Sequence, residues 1–492
     1  MEKIRSFLKA SYGSPEVRLT VAFLGSLAIY ILVFTLPINI LQLYNRTGLD
    51  GHVLKDAGFP AYLRMILAFA GLAICYVVGL RAVRQTGSRA AWIIVIAGTL
   101  AFIGVLLFMA PFDALDIYDN IFHGRIVGIY GGNPFRQLIA DFPKDPFYKY
   151  PRWKTSPSAY GPLWEMLAGL TARLAGDGVI ANILAFKALP GIFHLASMAV
   201  VILYLHRTAP EHTLGGALLL GWNPVVLYET WGNGHNDITM IFWILLAAMW
   251  ISRERYTLAT LSLVAGTLVK FIPVLLIPIV LLAGYRSLEK WLPRLKFLLK
   301  TSLASLLMVA VVYFPFWNGF ASFSIGRRMK MFTTSIPAVI YQLLRPRLGF
   351  SESARLVSLG ALGLLAVFIV YKTFRVKVQL PSFDFPQTAF SILAFYLMVT
   401  CLWFQQWYSL WLIGLAPLLS ERSRRLALLF GFWVLSKQFV FGPLIVPVMS
   451  HHPETEIWLE PLLALSILGV PWLYTLLNLQ LPRRMKAIRH AA

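Results

Sequence analysis

The chain has 492 residues, 58% of them hydrophobic and only 13% charged, with a formal net charge of +22. A soluble domain carries roughly 25% charged residues, so an ordinary cytosolic enzyme and a disordered protein are both excluded. The mean hydropathy of +0.68 comes from apolar runs near the length a bilayer core demands, about 20 residues. Short alternating strands of the membrane-barrel kind are absent, so the composition predicts an all-α polytopic membrane protein, read as a single domain over 1–492.

The positive charge needs no nucleic acid, because much of it sits in short loops between apolar runs, as cytoplasmic loops do. Cys75 and Cys401 lie inside apolar runs and imply packing rather than a disulfide framework. The first apolar segment lacks a small-residue cleavage site and reads as an anchor rather than a signal peptide.

In chain order, apolar runs predict about fourteen transmembrane segments (12–14). They lie near 18–38, 61–83, 91–110, 183–205, 214–230, 237–252, 257–270, 271–284, 299–315, 355–371, 387–403, 407–420, 426–446 and 459–477. The stretch 257–284 contains Lys270, Pro273 and Pro278 and reads either as two half-length spans meeting near Lys270 or as one kinked span. Basic loops at 81–89, 206–207, 253–255, 286–300, 372–377 and 422–425, with the tail 483–490, fall on one side when the number of spans is even. That side is cytoplasmic by the positive-inside rule, and both termini share it. The other side then carries the long polar loop 111–165 and a basic, amphipathic stretch over 317–347. Arg327, Arg328 and Lys330 break the charge rule there, which fits either an anionic ligand or a helix lying at the interface.

The first extracytoplasmic loop brings Asp113, Asp116 and Asp119 at successive i, i+3 spacing, followed by Tyr118, His123 and Gly124-Arg125. On a helix such carboxylates share a face, where they serve as a general base, as ligands for a divalent cation, or merely as a solvated, dipole-stabilising first turn. Gly131-Gly132-Asn133-Pro134 marks a turn and lacks the Lys and Ser/Thr of a phosphate loop. Ser158-Ala159-Tyr160-Gly161-Pro162-Leu163 is a second turn. Trp222-Asn223-Pro224 leads to Asn233-Gly234-His235-Asn236-Asp237, where dense polarity at a membrane boundary marks either a site or a capped turn.

Lys270, set in apolar sequence, faces either an anionic group or snorkels to the interface. The cluster Trp403 to Trp411 contains Gln405 and Gln406, suited to a sugar ring or to an aromatic belt. His451, His452, Glu454 and Glu456 match no defined metal spacing.

Taken in order, Asp116-Ile-Tyr118 to Gly124-Arg125, Gly-x-Asn-Pro-Phe, Tyr160-Gly161-Pro162-Leu163, Trp-Asn-Pro, Gly234-His235-Asn236-Asp237, Lys270-Phe-Ile-Pro and Gln406-Trp-Tyr resemble the GT-C class of membrane glycosyltransferases. Within it the chain is most similar to bacterial polyprenyl-phosphate-mannose-dependent α-1,6-mannosyltransferases, over roughly residues 105–411.

The resemblance implies a GT-C-like helical bundle in the plasma membrane with an active site in its outer loops. Such an enzyme transfers a sugar, here mannose, from a polyprenyl-phosphate donor to a glycan or lipid acceptor on the extracytoplasmic face, with inversion. Asp116, or secondly Asp113, then takes the acceptor proton. Arg125, Lys270, Arg327, Arg328 and His235 attend the donor phosphate, and Tyr118, Asn236, Asp237, Gln406 and Tyr160 position sugar and acceptor. No cofactor is required and no metal ligand is assigned, although the chemistry admits a divalent cation. The alternative is a membrane transporter or flippase for lipid-linked sugar, with Lys270 and the acids lining its path; the inverted repeats common in transporters are not visible.

Overall fold

The computed structural model describes residues 13–47, 58–111, 115–319, 331–375, 383–452 and 455–491. Among the described residues the secondary structure is helical, apart from two isolated bridges, Asn39 with Met109 and Thr333 with Trp403. The chain forms two compact units, Met1–Ser324 with Val376–Phe385, and Ile325–Arg375 with Pro386–Ala492.

The first unit holds α1 (Pro15–Ile29), α2 (Ile40–Thr47), α3 (Gly58–Val83), α4 (Arg89–Leu107), α5 (Asp116–Gly128), α6 (Pro162–Ala175), α7 (Val179–Thr208), α8 (Thr213–Gly221), α9 (Asp237–Ile251), α10 (Tyr256–Val269), α11 (Ile277–Arg286) and α12 (Trp291–Tyr313). The second contains α13 (Ile336–Phe374), all but the first residue of α14 (Phe385–Phe395), α15 (Glu421–Val434), α16 (Gly442–His451) and α17 (Glu456–Ala491).

Eight helices among the described residues are long and apolar enough to cross a bilayer, beginning at Pro15, Phe59, Arg89, Val179, Trp291, Ile336, Glu421 and Ile457. Four shorter apolar helices accompany them, Asp237–Ile251, Tyr256–Val269, Ile272–Arg286 and Phe385–Thr400. The chain is a multi-pass membrane protein.

Two of the predicted spans do not form continuous helices. The run 214–230 breaks after Gly221, where Asn223 turns its Oδ1 onto the N–H groups of Val225 (3.0 Å) and Val226 (3.2 Å) and Pro224 starts a new turn. The run 407–420 folds as short turns, Gln406–Ser409, Leu410–Ile413 and Ala416–Leu418. Residues 336–347 of the predicted basic loop belong to α13, which bends where Gly349 takes φ 75°. Around Lys270 the two-piece expectation matches: α10 stops at Val269, Lys270 is extended, and a 3-10 turn leads into α11.

Serine hydroxyls start two of the membrane helices. Ser14 accepts from Val17 N–H and Ser88 from Ala91 N–H, both at 3.2 Å. Glu16 ties these starts together by accepting from Thr86 (2.6 Å) and Ser88 (2.8 Å). Behind them Tyr228 meets Phe34 and Phe69 edge-on, and Trp222 donates from Nε1 to Val95 O at 2.9 Å.

The helix pair α5 and α6 approaches backbone to backbone. A Cβ on Gly128 would stand 2.0 Å from Gly169 O, and one on Gly124 would stand 2.6 Å from Ala168 O. Gly124 of the Gly-Arg motif and Gly128 one turn on are thus packing requirements, the small-residue contact familiar from membrane helices, and they fix the helix that begins with Asp116.

Candidate active site

The polar motifs of the first unit converge from four places: the N-terminus of α5, the turn before α6, the segment preceding α9, and the C-terminal end of α10. The convergence is built by close backbone contact. Gly161 donates its N–H to Val269 O at 2.9 Å, and a Cβ there would lie 2.1 Å from Leu268 O. The Tyr-Gly-Pro turn therefore seats directly on the last turn of α10, beside Lys270. Gly191 gives comparable room to the Trp231 ring, which would stand 2.3 Å from a Cβ.

Lys270 Nζ reaches Asp237 Oδ1 at 2.6 Å and lies 5.7 Å from the centroid of the Tyr160 ring. Asp237, the first residue of α9, is buried, as is Lys270, so this is a low-dielectric ion pair. Next to it, the turn Asn233–His235 folds back on a π-helical segment, Tyr228–Gly232. His235 N–H donates to Glu229 O at 2.9 Å, and Gly234 adopts φ 77°, a left-handed conformation that favours glycine. His235 Nδ1 then lies 2.8 Å from Glu229 Oε2, with both side chains buried. Asn233 Nδ2 donates to the same oxygen at 3.4 Å.

Asn236 is 2% exposed, and neither end of its amide meets a protein partner among the described residues. Buried amides are nearly always satisfied, so this one is available to a hydroxyl-rich ligand.

Asp116 opens α5 and is partly buried among these groups. Burial pushes its carboxyl up, while His235, Lys270 and Arg152 pull it back and Asp237 adds to the rise. Its carboxylate is therefore within electrostatic reach of the His235, Asp237 and Lys270 cluster. Asp119, one turn on, accepts Trp153 N–H at 2.9 Å and so anchors the loop that carries Arg152. Burial raises Asp119 to about 7. In the same layer, Glu165 accepts from Ser158 Oγ at 2.5 Å and is raised by burial to about 8, and burial lowers His123 to about 4. These groups lie on α5 and α6, outside the eight long apolar helices.

The structure thus gathers Asp116, His235, Asn236, Asp237, Lys270 and Tyr160. It puts Arg125 to another use: the guanidinium is held by Asp145 (2.9 Å), Asp177 (2.8 Å) and Gly176 O (3.0 Å), over the Phe147 ring. Arg125 braces the α5 and α6 ends rather than joining the cluster. Tyr118 is buried and stacked on Tyr150 with centroids 5.4 Å apart. Gln406 is buried in the second unit, at the start of a 3-10 turn. Asp113, Arg327 and Arg328 lie outside the described residues. Among the described residues no group of three or more His, Cys, Asp or Glu is disposed to hold a metal ion.

Three residues escaped the sequence analysis. Glu229 had a signal, an acid inside an apolar run. Arg152 was one cation among several in a polar loop, and Glu165 was one acid on a short helix; neither pattern points to a site.

Fold and site together define a multi-pass membrane protein with a buried, carboxylate-bearing polar cluster, and the comparisons with known proteins supply its family. The chain belongs to the alpha-(1->6)-mannopyranosyltransferase family, whose N-terminal domain matches residues 22–286, more than half of the chain and all of the clustered residues. It is also similar to alpha-(1->6)-mannopyranosyltransferase A of Corynebacterium glutamicum, 22% identical over 184 residues. That match spans 36% of this chain and 36% of the relative's length. No solved structure matches.

Proposed function

We propose that the protein transfers mannose from a polyprenyl-phosphate donor to a hydroxyl of a glycan or lipid acceptor on the extracytoplasmic face. The observation that carries this reading is the convergence of Asp116, His235, Asn236, Asp237 and Lys270 within the segment that matches the mannosyltransferase family. The same match favours transfer over transport.

In this mechanism the acceptor oxygen attacks the anomeric carbon as the bond from that carbon to the donor phosphate breaks, with inversion. Asp116 takes the acceptor proton; its raised carboxyl affinity for protons suits a general base. Polyprenyl phosphate departs with the extra negative charge, which Lys270 and Arg152 stabilise from fixed positions. Asp237 holds Lys270 at 2.6 Å and keeps it aimed. Glu229 holds the His235 ring at 2.8 Å, within electrostatic reach of Asp116. Asn236 offers both a donor and an acceptor to sugar hydroxyls. No step needs a metal cofactor, and the bilayer delivers the donor lipid laterally.

A donor panel tests this reading. Purified protein is offered polyprenyl-phosphate mannose, polyprenyl-phosphate glucose and a nucleotide-linked mannose, with membrane lipid extract as acceptor. Transfer from polyprenyl-phosphate mannose alone is expected. Turnover of the nucleotide sugar, or of none of the three by folded protein, would overturn it.

A further inference from the structure

The connection between α9 and α10 lies at the far end of that hairpin from Asp237 and Lys270. The 15 residues of α9 separate the two ends by about 22 Å at 1.5 Å per residue. At this far end a cavity of about 380 Å³ is lined by Arg207, Trp250, Ser252, Arg253, Glu254 and Arg255. Arg207 is in the last turn of α7, so the guanidiniums reach one cavity from two connections well separated in sequence.

The turn is built tightly. The N–H groups of Arg253 and Arg255 both donate to Trp250 O, at 3.1 and 2.9 Å, and Glu254 N–H donates to Ile251 O at 2.8 Å. Closing it puts Glu254 at φ 57°, a left-handed conformation that side-chain-bearing residues adopt rarely and with strain. The Arg253 guanidinium sits over the Trp250 ring, 5.6 Å from its centroid. Among the described residues none of these arginines is ion-paired with a carboxylate, Glu254 included.

The positive-inside rule accounts for cations in such loops. It does not account for three of them meeting at one cavity around a tryptophan. Guanidinium forks match phosphate oxygens, and basic pockets between membrane helices hold phosphate headgroups. α7 is long enough to cross the bilayer and α9 and α10 are apolar, so the cavity opens where headgroups lie. We infer that the Arg207, Arg253 and Arg255 cavity binds the phosphate of an anionic lipid headgroup, at the end of the hairpin opposite the transferase centre. A lipid bound there bridges α7 to the hairpin whose other end carries Asp237 and Lys270.

Native mass spectrometry of the full chain in detergent tests this with dioleoyl phosphatidylglycerol, dioleoyl phosphatidylcholine and inorganic phosphate as probes. Phosphatidylglycerol is expected to bind at least about tenfold more tightly than phosphatidylcholine, with roughly fivefold lost for each arginine changed to Gln. Excess inorganic phosphate should leave it bound. Glu254→Gln, which removes the only carboxylate of the lining, should tighten it. Equal retention of the two lipids, full retention by the folded Arg207→Gln/Arg253→Gln/Arg255→Gln variant, weakened retention in Glu254→Gln, or displacement by inorganic phosphate would each overturn the inference.

Discussion

A single methyl group at Gly161 tests whether backbone contact sets the geometry of the centre. Gly161 has φ −84° and ψ 164°, a conformation open to alanine, so the substitution carries no backbone strain of its own. The obstacle is steric: the new Cβ would stand 2.1 Å from Leu268 O and 2.5 Å from Leu268 C. Reaching ordinary contact requires the last turn of α10 to withdraw by about 1 Å, and overpacking of this kind costs about 1–3 kcal/mol. Lys270 follows that turn directly, so its 2.6 Å contact with Asp237 moves with it. A displacement near 1 Å among positioning groups lowers turnover by roughly 100-fold. Thermal unfolding in detergent and mannosyl transfer, measured on the same preparations, should both fall for Gly161→Ala. Gly104→Ala supplies the control, because nothing lies within 4 Å of its added Cβ and alanine suits a helix interior better than glycine. Wild-type stability together with wild-type turnover in Gly161→Ala would refute the argument.

Two further predictions follow from the buried groups. Glu229 acts through His235, so Glu229→Gln and His235→Gln should each reduce kcat by about 10- to 100-fold, and the double variant should be little worse than His235→Gln; losses that multiply would show that the two act independently. The stability contributed by Asp119 and Glu165 should also fall as pH rises from 6.5 to 8. The folded chain holds protons on Asp119 (about 7) and Glu165 (about 8) that unfolded carboxylates release near their ordinary values, so this contribution is complete at low pH and lost as pH rises through those values. His123, lowered to about 4, works in the opposite direction but only below its ordinary 6.5. Glu165 alone is worth about 2 kcal/mol over that window, so Glu165→Gln should gain stability relative to wild type as pH rises from 6.5 to 8 by thermal unfolding, and a variant profile that runs parallel to wild type would contradict the assignment.

Much of this centre is legible in the sequence because polar residues stand out against apolar runs. Lys270 next to Phe271-Ile272-Pro273 announces both a break and a cation that needs a partner. Asp116, His235 and Asp237 stand at helix starts, where turn chemistry brackets them. The partners of these residues are less legible, since they are set by packing between segments distant in sequence. Arg125 reads as a phosphate ligand until Asp145 and Asp177 fold onto it. Gly161 reads as a turn former, whereas it serves mainly to let two backbones touch, as Gly124 and Gly128 do on α5. Span counting fails at 214–230 and 407–420 because hydropathy sees apolar residues there and does not weigh Asn223-Pro224 or Gly414 and Pro417 as breaks.

The most direct test of the central claim compares wild type with Asp116→Asn in transfer from polyprenyl-phosphate mannose. The substitution keeps the size and shape of the side chain but removes the base. Loss of turnover by about 10²- to 10⁴-fold, with donor binding retained, is the predicted result. Turnover equal to wild type would show that Asp116 does not take the acceptor proton.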